Sequence, residues 1–151
     1  MSGARLVKVQ SPLSRQLARP GGRSLAEAER LADTALQEHR QTTFAELGDL
    51  VGRLEALCVQ PEPRDEAQAY ALAAGLVDLA GFFDTGPFYE AAYSLCDLAD
   101  RSRAAGRWSW EAVGVHVGAL RLLHSGGLQP AGPGSADLVA GLRRVVGTVL
   151  D

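Results

Sequence analysis

Three histidines offer the widest choice of chemistry in this chain. His39 falls on the apolar stripe of a long predicted helix, where a histidine phosphotransfer protein presents its phosphoacceptor imidazole. Such a site must be accessible to a partner's aspartyl phosphate, and it usually has a small residue and a cation one turn further on. Here Arg40 lies at the wrong offset and Thr43 occupies the next turn. We therefore expect His39 to be half-buried and hydrogen-bonded, with phosphotransfer as the alternative.

The spacing of the other candidate ligands and nucleophiles excludes the common catalytic sites. His116 and His124 would lie about two turns apart and roughly 80° apart around one helix, so they cannot chelate a single ion. Cys58 and Cys96 form no Cys-x-x-Cys pair, and we expect both to be reduced core thiols. The motifs of zinc enzymes, serine hydrolases, P-loops and dinucleotide-binding folds are missing from the sequence. We predict no catalytic residue, no metal and no cofactor.

Length and composition restrict the class of protein further. The chain has 151 residues, of which 46% are hydrophobic and 22% charged, as in an ordinary folded domain. No apolar run approaches the ~18 residues that span a membrane, and the first residues lack the order of a secretion signal. We therefore expect a cytoplasmic protein without membrane insertion. The sequence has no isoleucine and is rich in strong helix formers, which predicts an all-α fold.

The first 23 residues form a basic arm that differs in charge from the rest of the chain. The arm has basic side chains and no acid, whereas residues 24–151 are acidic overall. Pro12 and Pro20 prevent one continuous helix, although several apolar side chains could dock it. Without aromatic interleaving or a recognition motif, we predict no nucleic-acid binding. We expect the arm to pack loosely on a helical bundle domain formed by residues 24–151.

Five helices are predicted from apolar residues that recur at steps of three and four. The first is long and runs from Ser24 to about Leu57, and Ser24 with Glu27 forms a capping box at its start. The other helices are predicted at about 65–83, 87–104 and 110–125 and from Ser135 onward. Asp65 and Ser109 are predicted N-caps, and Gly106 is predicted to end the third helix in the left-handed conformation. Short connections favour antiparallel neighbours, so the sequence predicts an antiparallel bundle of about five helices.

Aromatic residues and two helical glycines mark a candidate contact surface. Most aromatic side chains lie between Phe82 and Trp110, a composition found at protein interfaces and also at core ends and loop anchors. Two tryptophans flank a helix start, and we expect one of them to be exposed. Gly114 and Gly118 lower helix propensity, which suggests close approach of another helix or a partner. The predicted partner-binding residues are Tyr89, Tyr93, Trp108, Trp110, Gly114, His116 and Gly118.

Three segments of the chain resemble the CheE family, small proteins associated with chemotaxis gene clusters of alphaproteobacteria. They are RPGGRSLAEAE at 19–29, AYSLCDLAD at 92–100 and WSWEAVGVHVGALRLL at 108–123. The matching landmarks are Pro20, Gly21, Gly22, Cys96, Asp97, Trp110, His116 and Leu123. The resemblance implies an accessory role in chemotaxis through binding another component of the two-component pathway, and it implies no enzyme activity. Residues 126–151 extend past the similar part.

The predicted function is therefore that of a non-enzymatic adaptor or modulator in bacterial chemotaxis that acts by protein contact. The alternative is a histidine phosphotransfer or receiver-phosphatase domain centred on His39. A third class is a structural module that forms a homodimer through the long first helix.

Overall fold

The computed structural model describes residues 21, 24–128 and 132–150, and within them every regular element is an α-helix. Predictions for residues 1–20, 22 and 23 of the basic arm lie outside the described residues. The predicted all-α helical bundle is confirmed. Its helices are α1 (Leu25–Val59), α2 (Glu66–Ala80), α3 (Pro87–Ala105), α4 (Trp110–Ser125) and α5 (Pro133–Leu150).

Contacts divide the chain into two compact units, residues 1–38 and 39–151. In the first unit the described residues are Gly21, Ser24 and residues 25–38 of α1. The Ser24 hydroxyl accepts a 3.2 Å hydrogen bond from the Glu27 amide, as predicted for the helix start. All described residues of this unit are exposed, including Leu25, Leu31 and Leu36.

Most helix ends of the second unit follow from local capping. The Asp65 carboxylate accepts from the Gln68 amide at 2.9 Å, and the Ser109 hydroxyl accepts from the Ala112 amide at 3.2 Å. Gly106 ends α3 in the left-handed conformation with φ 62°, where a side chain would be strained. All three caps were predicted from residue type, because each depends only on neighbours within one turn.

Two helix ends differ from the prediction. Helix α2 ends at Ala80 rather than near Phe83, because the buried Thr85 hydroxyl donates to the Ala80 carbonyl at 3.2 Å. Helix α5 begins at Pro133 rather than Ser135. There the Ser135 hydroxyl lies one turn inside the helix and accepts from the Gly132 amide at 2.9 Å, which satisfies a free donor at the helix start.

The core of the second unit centres on α3, which packs against α2, α4 and α5. Helix α4 also packs against α5. Contacts of Phe88 with His124 and of Ser94 with His116 show that α3 and α4 are antiparallel. The largest fully buried apolar side chains are Leu47, Val51, Leu54, Leu76, Phe88, Leu95, Leu98, Val113, Leu120 and Leu142. These residues recur at helical spacing, so the predicted apolar stripes form the core.

Candidate functional site

His116 lies in the core of the bundle, with no exposed surface. Its Nδ1 is 2.9 Å from the Ala112 carbonyl, which can only accept, so Nδ1 carries the proton. Nε2 is therefore the acceptor, and the buried Ser94 hydroxyl donates to it at 3.0 Å. Burial lowers the pKa of His116. The prediction that His116 contacts a partner is wrong, because the ring is enclosed between α3 and α4.

The Ser94–His116 pair has the composition of a nucleophile and its base, but its surroundings do not support catalysis. Ser94 is buried and lies inside α3, where the backbone amides are used in helix hydrogen bonds. Acyl transfer needs free donors placed around a developing oxyanion. The pair instead satisfies two buried polar side chains and connects α3 to α4.

His124 and Arg121 connect α4 to the part of α1 in the second unit. The His124 ring stacks on Phe44 at 4.1 Å between centroids, and its Nε2 donates to the Phe44 carbonyl at 2.8 Å. One turn earlier on α4, the Arg121 guanidinium binds both carboxylate oxygens of Glu55. Hydrogen bonding to Arg121 lowers the pKa of Glu55. The ring and the ion pair together determine the register of α1 on α4.

Gly48 permits this close approach, and Gly48→Ala is expected to destabilise the protein. A Cβ at position 48 would lie 2.8 Å from the His124 Cε1. Because the ring is held by Phe44, we expect a loss of about 1–3 kcal/mol in the free energy of unfolding, measured by urea denaturation.

Gly114→Ala is the matched control. No heavy atom of the described residues lies within 4 Å of a Cβ placed there, apart from the helix's own backbone. Alanine should then raise stability by about 0.5–1 kcal/mol, because it lowers the entropy cost of the helix. Equal changes in the two variants would contradict the role of Gly48.

His39 is exposed on α1, which corrects the expectation of a half-buried histidine. The buried residues of this helix start at Thr43, and the positions before it are exposed. The predicted apolar stripe of α1, which includes His39, is therefore exposed at this position. The imidazole meets one requirement of a phosphoacceptor, namely access from solvent.

Both tryptophans are half-buried, so the expectation that one of them is exposed is wrong. Trp108 precedes the helix rather than belonging to it, and its ring folds onto Trp110 with centroids 5.4 Å apart. Arg64 lies over Trp110 at 5.1 Å and donates to the Cys58 carbonyl at 2.9 Å, near the end of α1. The cluster therefore connects the α1–α2 segment to α4, as a loop anchor does.

The two predicted tyrosines lie at the surface of α3. Tyr89 is partly exposed and Tyr93 is 60% exposed, with ring centroids 6.5 Å apart. Tyr93 lines a groove of about 250 Å³ between α3 and α5. Two ion pairs border this groove, Glu90 with Arg143 at 2.8 Å and Asp97 with Arg101 at 3.6 Å. Charged side chains thus border the α3–α5 groove.

The predicted glycines lie along a different surface, which we call the α4 face and define by Val115, Gly118 and Leu122. Gly118 is exposed, and no heavy atom of the described residues lies within 4 Å of a Cβ built there, apart from the helix's own backbone. Val115 and Leu122 are 49% and 68% exposed. Val115 also lines a groove of about 450 Å³ between α4 and α5. The apolar lining of this α4–α5 groove includes Ala112, Val115, Val145 and Val149.

The structure therefore divides the predicted contact residues into separate groups. Tyr93 borders the α3–α5 groove, the glycines belong to α4, and His116 with the tryptophans lies inside or half inside the bundle. Sequence reasoning did not select Val115 or Leu122. A signal was present, because both lie off the buried α4 stripe of Val113, Val117 and Leu120.

The described residues include no helix that is long and apolar enough to cross a membrane, and no group of three or more His, Cys, Asp or Glu side chains placed to hold a metal ion. Both cysteines are free and half-buried, and burial raises the pKa of each thiol. Comparison with protein-family models, curated proteins and solved structures finds no match to this chain. Fold and surface together define an all-α bundle with an exposed apolar face on α4.

Proposed function

We propose that this chain is a non-enzymatic accessory protein of bacterial chemotaxis that binds another protein of the two-component pathway through the α4 face. The observation that carries the contact role is the exposure of Val115 and Leu122 on either side of Gly118. The chemotaxis assignment is supported by the resemblance of the three segments described above.

The chemistry of the α4 face favours a helical ligand. A glycine inside a helix costs about 1 kcal/mol relative to alanine, and the described residues offer no compensating contact at Gly118. The absent side chain of Gly118 allows another backbone to come close. Val115 and Leu122 supply apolar contacts about one turn away on each side. The adjacent α4–α5 groove extends this apolar surface. An amphipathic helix of the partner fits such a surface.

Gly118→Arg should weaken this binding by tenfold or more, because a long charged side chain would occupy the line of approach. The experiment titrates the purified chain with a receptor signalling domain, a histidine kinase and a receiver domain of a bacterial chemotaxis pathway. Isothermal titration calorimetry gives the affinity for each. Arginine is a better helix former than glycine, so the variant should remain folded.

Gly134→Arg is the matched control, since Gly134 is also helical and exposed, with open space among the described residues. It should bind like the original chain. If none of the three chemotaxis proteins binds, the chemotaxis assignment fails. If one binds equally well to both arginine variants, the assignment stands and the α4 face is wrong.

The exposure of His39 favours a second candidate, a histidine phosphotransfer or receiver-phosphatase domain. The test mixes the chain with a phosphorylated receiver domain and follows the label. This candidate is favoured over the adaptor if the label transfers to the chain or is lost faster from the receiver. The effect must disappear in His39→Ala and persist in Gln37→Ala.

Dimerisation through α1 defines the third candidate, a structural module. Light scattering at several concentrations measures it directly. Dimers that bind none of the chemotaxis proteins would favour that class.

A further inference from the structure

The groove between α3 and α5 has a buried polar side chain at its base. Ser94 is 5% exposed, yet it lines this groove of about 250 Å³. Its single hydroxyl hydrogen is donated to the Nε2 of His116 at 3.0 Å. The Ser94 oxygen can therefore take part in further hydrogen bonds only as an acceptor. A ligand group that bonds to Ser94 from the groove must then be a donor.

Carboxylates lie on both sides of Ser94 along α3. Glu90 lies about one turn before it and Asp97 about one turn after it, and the three positions fall within an arc of about 60°. All three side chains line the groove. Tyr93 adds an aromatic ring, and the faces of such rings attract cations. This set of acceptors suits an ammonium group, which combines several donors with a positive charge.

Each of the two carboxylates is paired with an arginine of the same groove. Glu90 pairs with Arg143 of α5 at 2.8 Å, and Asp97 pairs with Arg101 at 3.6 Å. The four side chains are between 44% and 65% exposed, and ion pairs of such exposure contribute little to stability. Either guanidinium group can therefore turn to the carboxylate of a ligand, which it binds through two parallel hydrogen bonds.

The charges that line the groove add to zero, which restricts the ligand. Two carboxylates and two guanidinium groups are present. A simple cation would compete with both arginines for the carboxylates, and a simple anion would meet no donor at Ser94. A molecule with both charges can bond to Ser94 and the carboxylates through its ammonium group and to an arginine through its own carboxylate.

We propose that the α3–α5 groove binds a small amino acid in its zwitterionic form, with the ammonium group at Ser94 and the carboxylate at Arg101 or Arg143. The volume of about 250 Å³ is below the ~300–1,000 Å³ of pockets for drug-sized ligands, which suits a smaller molecule. Gly147 of α5 lines the groove and leaves space there, because a Cβ built on it meets no heavy atom of the described residues within 4 Å, apart from its chain neighbours and helix backbone. The groove is separate from the α4 face, so the inference is independent of the proposed function.

Heteronuclear NMR titration of the full chain at neutral pH tests the proposal. The probes are glycine, β-alanine and 4-aminobutyrate, and each is compared with butylamine and butyrate, which carry only one of the two charges. At least one of the amino acids should bind about tenfold or more tightly than both single-charge probes. It should also shift the nitrogen resonance of His116 Nε2, because the ligand donates to the oxygen of the hydroxyl that bonds to this ring.

Two results of the titration would overturn the proposal. One is that none of the three amino acids binds more tightly than butylamine and butyrate. The other is that an amino acid binds and leaves the resonance of His116 Nε2 unchanged, since the ligand would then lie elsewhere on the protein.

Gly147→Leu fills the groove and should weaken binding of the amino acid by about tenfold or more. Leucine is a better helix former than glycine, so the variant should remain folded. Gly134→Leu is the matched control, because Gly134 is exposed near the other end of the same helix, and it should bind like the original chain. Equal affinities of the two leucine variants would contradict binding in the groove.

Arg101→Gln with Arg143→Gln tests recognition of the carboxylate. Both side chains are largely exposed, so the double variant should remain folded. It should lose the preference for the amino acid over butylamine, because only the contacts to the ammonium group remain. A retained preference would show that neither arginine binds the ligand and would overturn the proposal.

Discussion

Phe88→Ala should lower the free energy of unfolding by about 3–5 kcal/mol, the largest effect expected for a single substitution in this chain. Phe88 is completely buried at the start of α3, and its ring centroid lies 6.4 Å from that of His124. Truncation removes buried apolar area and leaves a cavity at the junction of α3 and α4. Because α3 packs against three other helices, little collapse can fill that cavity.

Phe82→Ala is the matched control for this prediction, because Phe82 is 78% exposed just after α2. Its truncation should change stability by no more than about 0.5 kcal/mol. Urea denaturation followed by circular dichroism measures both variants. A loss for Phe82→Ala as large as for Phe88→Ala would contradict the described core.

The second large effect is a loss of stability on acidification that depends on His116. Burial lowers its pKa, so below about pH 6.5 the unfolded chain binds a proton that the folded chain does not. The free energy of unfolding should then fall with decreasing pH, by up to about 1.4 kcal/mol per unit from this group. The contribution of His116 to the free energy of unfolding is complete above pH 6.5. It is lost as the pH falls through the lowered pKa of His116 in the folded state.

Replacing Ser94 and His116 together tests whether His116 causes this pH dependence. Ser94→Ala with His116→Leu removes the titrating ring and its donor, and the other two histidines remain. The pH profile of the double variant should be flatter below pH 6.5 than that of the original chain. Profiles of equal slope would contradict the assignment to His116.

Ser94→Ala alone should retain the steep profile and cost about 1–3 kcal/mol at pH 7, because the buried Nε2 loses its hydrogen-bond donor.

Local sequence was sufficient for much of the fold. The hydroxyl of Ser109 and the left-handed Gly106 define helix ends within one turn, and both were predicted from residue type. The end of α2 was not, because the Ala80 carbonyl is taken by Thr85 from beyond the helix. The start of α5 was also missed, although the contact between Gly132 and Ser135 is local.

The candidate site depended more strongly on contacts distant in sequence. His116 and Gly118 occupy similar local sequence, yet one is enclosed and the other exposed. The period of the helix already places the two residues on opposite faces, and only the tertiary structure shows that Ser94, 22 residues away on α3, donates to the buried ring. The half-buried position of Trp108 likewise depends on the loop before α4, which brings its ring against Trp110. The spacing of the two residues in the sequence does not specify this contact.

The sequence by itself determined the helices, their caps and the apolar stripes, because hydrogen bonds within a helix and the period of 3.6 residues are local properties. Only the tertiary structure decided which polar side chains are buried, which glycines admit a neighbouring helix and which apolar side chains stay exposed. Gly48 and Gly118 show the difference: His124 fills the space beside the first, and the space beside the second is open among the described residues. Those properties depend on which surfaces of separate helices meet, and the order of residues along one helix does not specify that.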